Sequence, residues 1–97
     1  MILELADIRI QPGQQLAFEA ALRRGISEAI GKAEGCLSCR VQHGIETPER
    51  YVLLVEWATL EHHTIGFRGS PAFAEWRSLV GPFFAAPPAV EHFSPLA

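Results

Sequence analysis

The sequence predicts one α+β domain in which an antiparallel sheet carries helices on one of its faces. Three observations support this prediction. Several segments alternate in the way that half-buried strands do, and a long apolar stripe of helical spacing lies between the first two of them. The chain has 97 residues, of which 48% are apolar, which is enough for one continuous core and too few for two. We therefore expect a single domain over residues 1–97.

The first strand and helix are predicted from residues 2–35. Residues 2–10 (ILELADIRI) are rich in Ile and Leu, and Pro12-Gly13 then marks a turn. From Phe18 to Ala33 apolar residues recur at intervals of three and four, and charged residues fill the positions between them. The pattern predicts a long amphipathic helix that Gly35 ends.

A hairpin is predicted from residues 36–57. Residues 36–46 alternate, and the turn sequence at 47–50 leads into YVLLVEW (51–57), the most strongly β-forming run of the chain. We expect this hairpin at or near the centre of the sheet. One face of its first strand is predicted to carry Leu37, Cys39, Val41, His43 and Ile45.

The remaining residues predict a broken helical layer and a last strand. A helical run begins near Leu60, Gly, Ser and Pro interrupt it within 66–71, and a short second helix follows, with VEHF (90–93) as the closing strand. The order β-α-β-β-α-β is the ferredoxin-like split βαβ arrangement, with a four-stranded antiparallel sheet. Its second face has no predicted cover, so we expect a homodimer formed through that sheet face.

Charge and hydropathy exclude two classes of partner. The net charge is −3 and no run of Lys and Arg offers a footprint for phosphate backbones, so nucleic acid is not expected. No stretch approaches ~18 uninterrupted apolar residues, and the first ten carry acidic and basic groups, so we expect neither a membrane partner nor a signal segment. A cytoplasmic location is the corresponding expectation.

The pair Cys36 and Cys39 forms a CxxC within a predicted strand. Residues three apart on a regular strand point to opposite faces, and no second pair of zinc ligands is present, so buried, unreactive thiols are predicted. The sequence also lacks a Ser/His/Asp set, a glycine-rich phosphate loop and a credible metal-ligand cluster. We expect no metal and no cofactor.

Several segments in order resemble one protein family. They are PGQQLAFEAAL, EGCLSCRV, YVLLVEWATLEHHT, FRGSPAFAEWRSLVGPFF and VEHF. Over essentially its full length the chain resembles the antibiotic biosynthesis monooxygenase (ABM) domain. The resemblance implies a dimeric α+β barrel with a pocket between sheet and helices in each subunit. The family includes oxygenases of aromatic polyketides or quinols that use neither metal nor flavin, haem-degrading enzymes, an isomerase of small sugar-derived signals, and proteins without assigned chemistry.

The family motifs narrow these activities. Haem-degrading members use an Asn on the first strand with a Trp and a His further on; residues 2–10 contain no Asn, and Phe67 and Arg77 stand at the other two positions. Quinol-oxidising members carry two histidines, of which the first corresponds to His62 and the second is again replaced by Phe67. Haem degradation is disfavoured, and half of the quinol motif is missing.

Cofactor-free oxygenation needs a base that deprotonates a phenol or enol in an apolar pocket. Because the ordinary pKa of His is about 6.5, His62 and His63 are the candidate catalytic residues. Adjacent helical residues point ~100° apart, so one of them is expected to face the pocket, and the family match favours His62. The alternative is that these histidines cap the helix or face solvent.

Aromatic residues in the last third of the chain are candidates for substrate binding. Stacking would suit a flat aromatic metabolite, although core packing explains the same rings equally well. His43 is a further candidate, with a partner contact as its alternative, and His92 is expected at a dimer contact or in solvent. Arg68 and Arg77 could hold an anionic group or simply face water. The candidate substrate-binding residues are Phe67, Trp76, Phe83, Phe84 and His43.

The sequence thus predicts a cofactor-independent monooxygenase that acts on a small aromatic or enolisable metabolite. One alternative is a dimeric ligand-binding or stress-related module that keeps the pocket without catalysis. Another is an isomerase of the same fold, which would share the base and need no oxygen. An imidazole that opens into an enclosed cavity would favour an enzyme over a binding module.

Overall fold

The computed structural model describes all 97 residues and has the predicted order of strands and helices. Two short 3₁₀ turns, Ile30–Lys32 and Gly81–Phe83, and a π-helical segment, His62–Phe67, complete the chain. The strands are β1 (Ile2–Arg9), β2 (Cys36–His43), β3 (Arg50–Trp57) and β4 (Ala89–Phe93), and the helices are α1 (Gln15–Glu28) and α2 (Pro71–Val80).

The sheet is antiparallel throughout, with the order β2-β3-β1-β4. The predicted ferredoxin-like topology is therefore confirmed, and the hairpin of β2 and β3 places β3 in the interior of the sheet. The register sets Glu4 of β1 opposite Val55 of β3 on one side and opposite His92 of β4 on the other. These three side chains form one row across the helix-covered face, because residues directly opposite in a sheet share a face.

The core lies between this covered face and the helices. Even-numbered residues of β1 and odd-numbered residues of β3 point into it, as the alternation of buried and half-buried positions shows. The fourteen buried apolar residues form one cluster: Ala6, Ile8, Ile10, Phe18, Leu22, Ala29, Ile30, Tyr51, Leu53, Val55, Trp57, Phe67, Trp76 and Val80.

The two helices approach each other closely at Gly25. A Cβ atom built on Gly25 would lie 2.7 Å from Cε3 of Trp76, so the indole of α2 occupies the space that any side chain at this position of α1 would need. Trp76 is in turn 7% exposed. The absence of a side chain at Gly25 therefore positions Trp76 over the sheet, at the wall of the site described below.

The first helix is shorter than predicted. It begins at Gln15 and ends at Glu28, whereas the apolar stripe predicted a helix as far as Gly35. Ala29 has φ −123° and ψ −82°, which breaks the helix, and the last part of the stripe continues as the 3₁₀ turn Ile30–Lys32. Gly35, with φ +83°, supports the turn into β2, because glycine adopts this conformation without steric cost.

The predicted alternation of β2 is wrong at its start. A register irregularity between Cys36 and Ser38 shifts the pattern by one residue, so that Leu37 is 58% exposed. Cys36 and Cys39 consequently both pack against the core, and not on opposite faces. Both thiols are free and half-buried, and burial raises the pKa of Cys39 to about 12. β2 also ends at His43, before the predicted Glu46.

The face of the sheet away from the helices has no cover within the chain. Leu5 of β1 and Leu54 of β3 are paired there and are only partly buried, and Phe93 of β4 is 44% exposed. No helix of the chain is both long and apolar enough to cross a bilayer. The uncovered apolar face is the feature on which a dimer proposal rests.

Candidate active site

A small cavity lies between the covered face of the sheet and the helical layer. Its volume is about 160 Å³. Strands β1, β3 and β4 form its floor, and the π-helical segment, α2 and the residues that lead into β4 form its walls. Its polar side chains are Glu4, His63, Arg68 and Arg77. Its apolar lining includes Ile8, Leu53, Phe67, Phe73, Trp76 and Phe84.

Glu4 is a buried carboxylate in the floor of this cavity. It is 4% exposed, and Oε1 accepts a hydrogen bond of 2.9 Å from the indole Nε1–H of Trp57. The same oxygen lies 3.4 Å from Nε2 of His63. Burial raises the pKa of Glu4 above its ordinary value, against the smaller, opposite effects of the Trp57 hydrogen bond and the nearby Arg68 charge.

His63 reaches the cavity from the π-helical segment. The backbone N–H of Arg68 donates to the carbonyl of His63, five residues earlier, at 3.1 Å, which is π-helical bonding. His63 is 3% exposed, and its ring stacks on Trp57 with centroids 5.1 Å apart and an interplanar angle of 16°. Burial lowers the pKa of His63 to about 4, and the positive charge of Arg68 and the neighbouring His92 act in the same direction. The imidazole is therefore neutral near pH 7.

His92 connects this pair with the edge strand β4. Its Nε2 lies 2.7 Å from Nδ1 of His63, so one ring donates a hydrogen bond to the other. Burial, followed by Arg68, lowers the pKa of His92. Trp57, Glu4, His63 and His92 thus form a continuous chain of polar contacts from the core to the partly exposed edge of the sheet.

Two arginines line the same cavity. Arg68 follows the π-helical segment and Arg77 lies on α2, with its Cζ 5.8 Å from the ring centre of Phe73. Neither guanidinium forms an ion pair or a side-chain hydrogen bond within the chain. Arg40, outside the cavity, also lacks such a partner, whereas the other four arginines each contact a carboxylate: Arg9, Arg23, Arg24 and Arg50.

The structure separates the two candidate catalytic histidines. His63 lines the cavity, whereas His62, which the family match favoured, lies outside it. The Nδ1 atom of His62 lies 2.8 Å from Oγ1 of Thr59, and its ring packs on Gly35, where a Cβ atom would overlap it. The π-helical segment sets this orientation, and no periodicity in the sequence indicates it.

Only some of the candidate substrate-binding residues lie at the cavity. Phe67, Trp76 and Phe84 line the cavity. Phe83 does not, and instead packs edge-on against Phe18 with ring centroids 5.8 Å apart. His43 lies in a separate surface depression, where its ring stacks on Tyr51 at 4.3 Å.

The sequence interpretation missed Glu4 and placed His92 at a dimer contact or in solvent. A signal for both was present. Glu4 lies an even number of positions from Ala6 and Ile8, so all three point to the same face of β1, and His92 likewise shares a face of β4 with Val90. An ionisable residue that alternation places on the buried face of a strand is a candidate for a functional group.

The chain holds no group of three or more His, Cys, Asp or Glu side chains placed to bind a metal ion.

Comparison with known proteins gives the family directly, since residues 1–79 match the family profile described as antibiotic biosynthesis monooxygenase. The chain belongs to the ABM family. The match covers β1 through most of α2 and therefore includes Glu4, His63 and both arginines, while His92 lies beyond it.

Individual proteins are similar to this chain over nearly its whole length. The uncharacterized protein YczJ of Bacillus subtilis is 40% identical over 93 residues, which are 96% of this chain and 97% of YczJ. The crystal structure of a "putative antibiotic biosynthesis monooxygenase" from Bordetella bronchiseptica is 41% identical, with a TM-score of 0.93, covering 99% of this chain and 97% of that one. A Nitrosomonas europaea protein of the same description, 18% identical with full coverage of both chains, has a TM-score of 0.82 and supports the fold alone.

Proposed function

We propose that this ABM protein is a cofactor-independent monooxygenase of small aromatic or enolisable metabolites, with Glu4 and His63 acting together as the base. The observation that carries the proposal is the contact of 3.4 Å between Glu4 Oε1 and His63 Nε2 in the wall of an apolar cavity. A buried carboxylate with a raised pKa is a stronger base than an exposed one. The neutral imidazole beside it can share the abstracted proton.

The residues of the site suit deprotonation of a carbon acid or phenol. Glu4 takes the proton, His63 shares it, and the hydrogen bond between His63 and His92 provides a path toward the exposed edge of β4. Phe67, Phe73 and Trp76 hold the ring of the substrate and keep water from the anion. The positive charge of Arg68, which also acts on Glu4 and His63, favours the negative charge that develops.

The proposed reaction balances with O₂ as the only co-substrate. The substrate carbanion or enolate transfers one electron to O₂, and the two radicals combine into a peroxide anion. The base returns its proton to this peroxide. Loss of the hydrogen that remains on that carbon and cleavage of the O–O bond release water. A CH₂ group and O₂ thus give a carbonyl and H₂O, and a phenol and O₂ give a quinone and H₂O. The protein supplies the base, the apolar surroundings and the stabilising charge.

We also propose that the protein works as a homodimer through the uncovered face of the sheet. Leu5 and Leu54 form an apolar pair at the centre of that face, and Phe93 extends it at the edge strand. Leaving such a face in water is unfavourable for a chain of this size. The cavity lies on the other side of the sheet, so dimerisation leaves its entrance free.

Oxygen uptake by metal-free protein tests the proposed activity. The substrates are hydroquinones, phenols and enolisable cyclic ketones with one ring. The variants are Glu4→Gln and His63→Gln, with His62→Gln to compare the neighbouring histidine. We expect uptake by the parent, and loss of about 100-fold or more in Glu4→Gln and His63→Gln, which is the usual contribution of a general base. His62→Gln is expected to stay within about twofold of the parent.

The outcomes distinguish the alternatives. Loss of uptake in His62→Gln with retention in His63→Gln would move the base to the other histidine and contradict the proposed site. Saturable binding of these compounds without uptake or any other turnover would support a binding module. Hydrogen exchange or isomerisation of a bound compound without O₂ consumption would support an isomerase, which needs the same base.

A further inference from the structure

The two arginines of the cavity are not explained by deprotonation alone. Arg68 and Arg77 line the cavity without an ion pair or a side-chain hydrogen bond, although four of the five other arginines of the chain contact carboxylates. With His63 neutral, Glu4 is the only negative charge in the site, against two guanidinium groups. The site therefore carries excess positive charge even when Glu4 is ionised, which favours an anionic ligand.

The charges are arranged along the depth of the cavity. Glu4 and His63 are 4% and 3% exposed, whereas Arg68 and Arg77 are exposed residues at its entrance. A ligand that spans the cavity would place its acidic C–H or O–H at the buried end and a charged group at the entrance. An apolar ring between these two ends would contact Phe67, Phe73 and Trp76.

The volume limits the size of that ring. The cavity measures about 160 Å³. A buried apolar cavity of about 150 Å³ in another protein accommodates one benzene molecule. One six-membered ring therefore fits between the base and the arginines.

We propose that the ligand of this site is a monocyclic aromatic or enolisable carboxylate, whose carboxylate binds between Arg68 and Arg77. Guanidinium groups bind carboxylates through paired hydrogen bonds, a geometry that a single ammonium group cannot provide. This inference deepens the proposed function by naming the substrate class, and it rests on the same cavity. Its test is equilibrium binding, which requires no turnover.

The experiment compares 4-hydroxybenzoate with its neutral isostere 4-hydroxybenzamide. Binding is measured by isothermal titration calorimetry at low and at moderate salt with the full chain. We expect 4-hydroxybenzoate to bind the parent at least about tenfold more tightly than the amide, with a preference that weakens as salt rises. Arg68→Gln and Arg77→Gln should each remove most of this preference and leave the affinity for the amide within about twofold. The matched control is Arg23→Gln, since the side chain of Arg23 is 78% exposed on α1, outside the cavity.

Four results would overturn the inference. Equal affinity for the acid and the amide would show that the arginines do not select an anion, and an equal loss in Arg23→Gln would show only a general charge effect. Failure of 4-hydroxybenzoate to bind at millimolar concentration, or tighter binding of a fused-ring analogue, would contradict the proposed monocyclic ligand. Failure of this inference differs from failure of the proposed function. Arginine-dependent binding without oxygen uptake retains the anion site, and uptake with neutral phenols without charge preference retains the oxygenase.

Discussion

Nδ1 of His63 lies 2.7 Å from Nε2 of His92, so a hydrogen bond between two imidazoles joins the π-helical segment after β3 to the edge strand β4. The bond leaves Nε2 of His63 directed at Glu4. His92 is thereby a positioning residue, because it holds the ring that contacts the carboxylate.

Replacing His92 tests this positioning. His92→Phe keeps a ring and removes the hydrogen-bond partner of His63, so we expect a loss of about 1 to 3 kcal/mol in the free energy of unfolding. His92→Gln retains a polar group and should recover part of that loss. Denaturant unfolding near neutral pH measures both variants. Equal stability of the Phe and Gln variants would show that the bond does not hold the ring.

Glu4→Gln should stabilise the protein in a pH-dependent way. The pKa of Glu4 is raised in the folded state. Above the ordinary pKa of about 4.5 the carboxylate therefore destabilises the folded parent, whereas the neutral amide of Glu4→Gln does not. The stability gained by Glu4→Gln is therefore expected to be small near pH 4 and to grow as the pH rises through the raised pKa. Gln also keeps an oxygen for the indole N–H of Trp57. Unfolding curves of parent and variant at several pH values check this, and a difference that shrinks with rising pH would contradict it.

His63→Gln should change the acid sensitivity of the protein in the opposite sense. A pKa of about 4 in the folded state, against about 6.5 when unfolded, means that stability is lost as the pH falls through this window. The shift corresponds to about 3 kcal/mol at most. The variant should lack this loss, so its stability relative to the parent should improve between pH 6.5 and pH 4. A constant difference across the window would show that His63 titrates normally.

Gly25→Ala should destabilise the protein although alanine favours helices. Its Cβ would lie 2.7 Å from the ring of Trp76, and such overpacking costs about 1 to 3 kcal/mol, more than the gain of about 1 kcal/mol in helix propensity. The matched control is Gly81→Ala, since Gly81 has φ −56° and no atom within 4 Å of an added Cβ. Gly81→Ala should leave thermal stability unchanged or slightly raised. Equal effects of the two substitutions would contradict the close helix contact.

Leu54→Glu should separate the proposed dimer. Leu54 pairs with Leu5 on the uncovered face, and a buried, unpaired carboxylate at an interface is strongly unfavourable. Light scattering at micromolar concentration should give twice the chain mass of 10.7 kDa for the parent and the single mass for the variant. Leu16→Glu, at an 86% exposed position of α1, is the control and should remain dimeric. A parent at 10.7 kDa would contradict the proposal.

The sequence predicts the order of the elements correctly because hydrophobic periodicity determines it. The strong β-forming run at 51–57 and the apolar stripe from Phe18 both lie in the expected elements. The sequence does not indicate the local irregularities within and between these elements. The irregularity at Cys36 places both cysteines on one face, and the π-helical segment decides that His63 enters the cavity while His62 does not. Both depend on tertiary packing, which overrides local preference.

The protonation state of His63 tests the account most directly, and it requires no substrate. NMR titration of the imidazole signals, with His63 assigned through His63→Gln, gives its pKa. A neutral ring down to about pH 4 is expected, because burial and the positive charge of Arg68 both disfavour the imidazolium. Titration near the ordinary value of about 6.5 would show that the imidazole is solvated and would contradict the enclosed Glu4–His63 site.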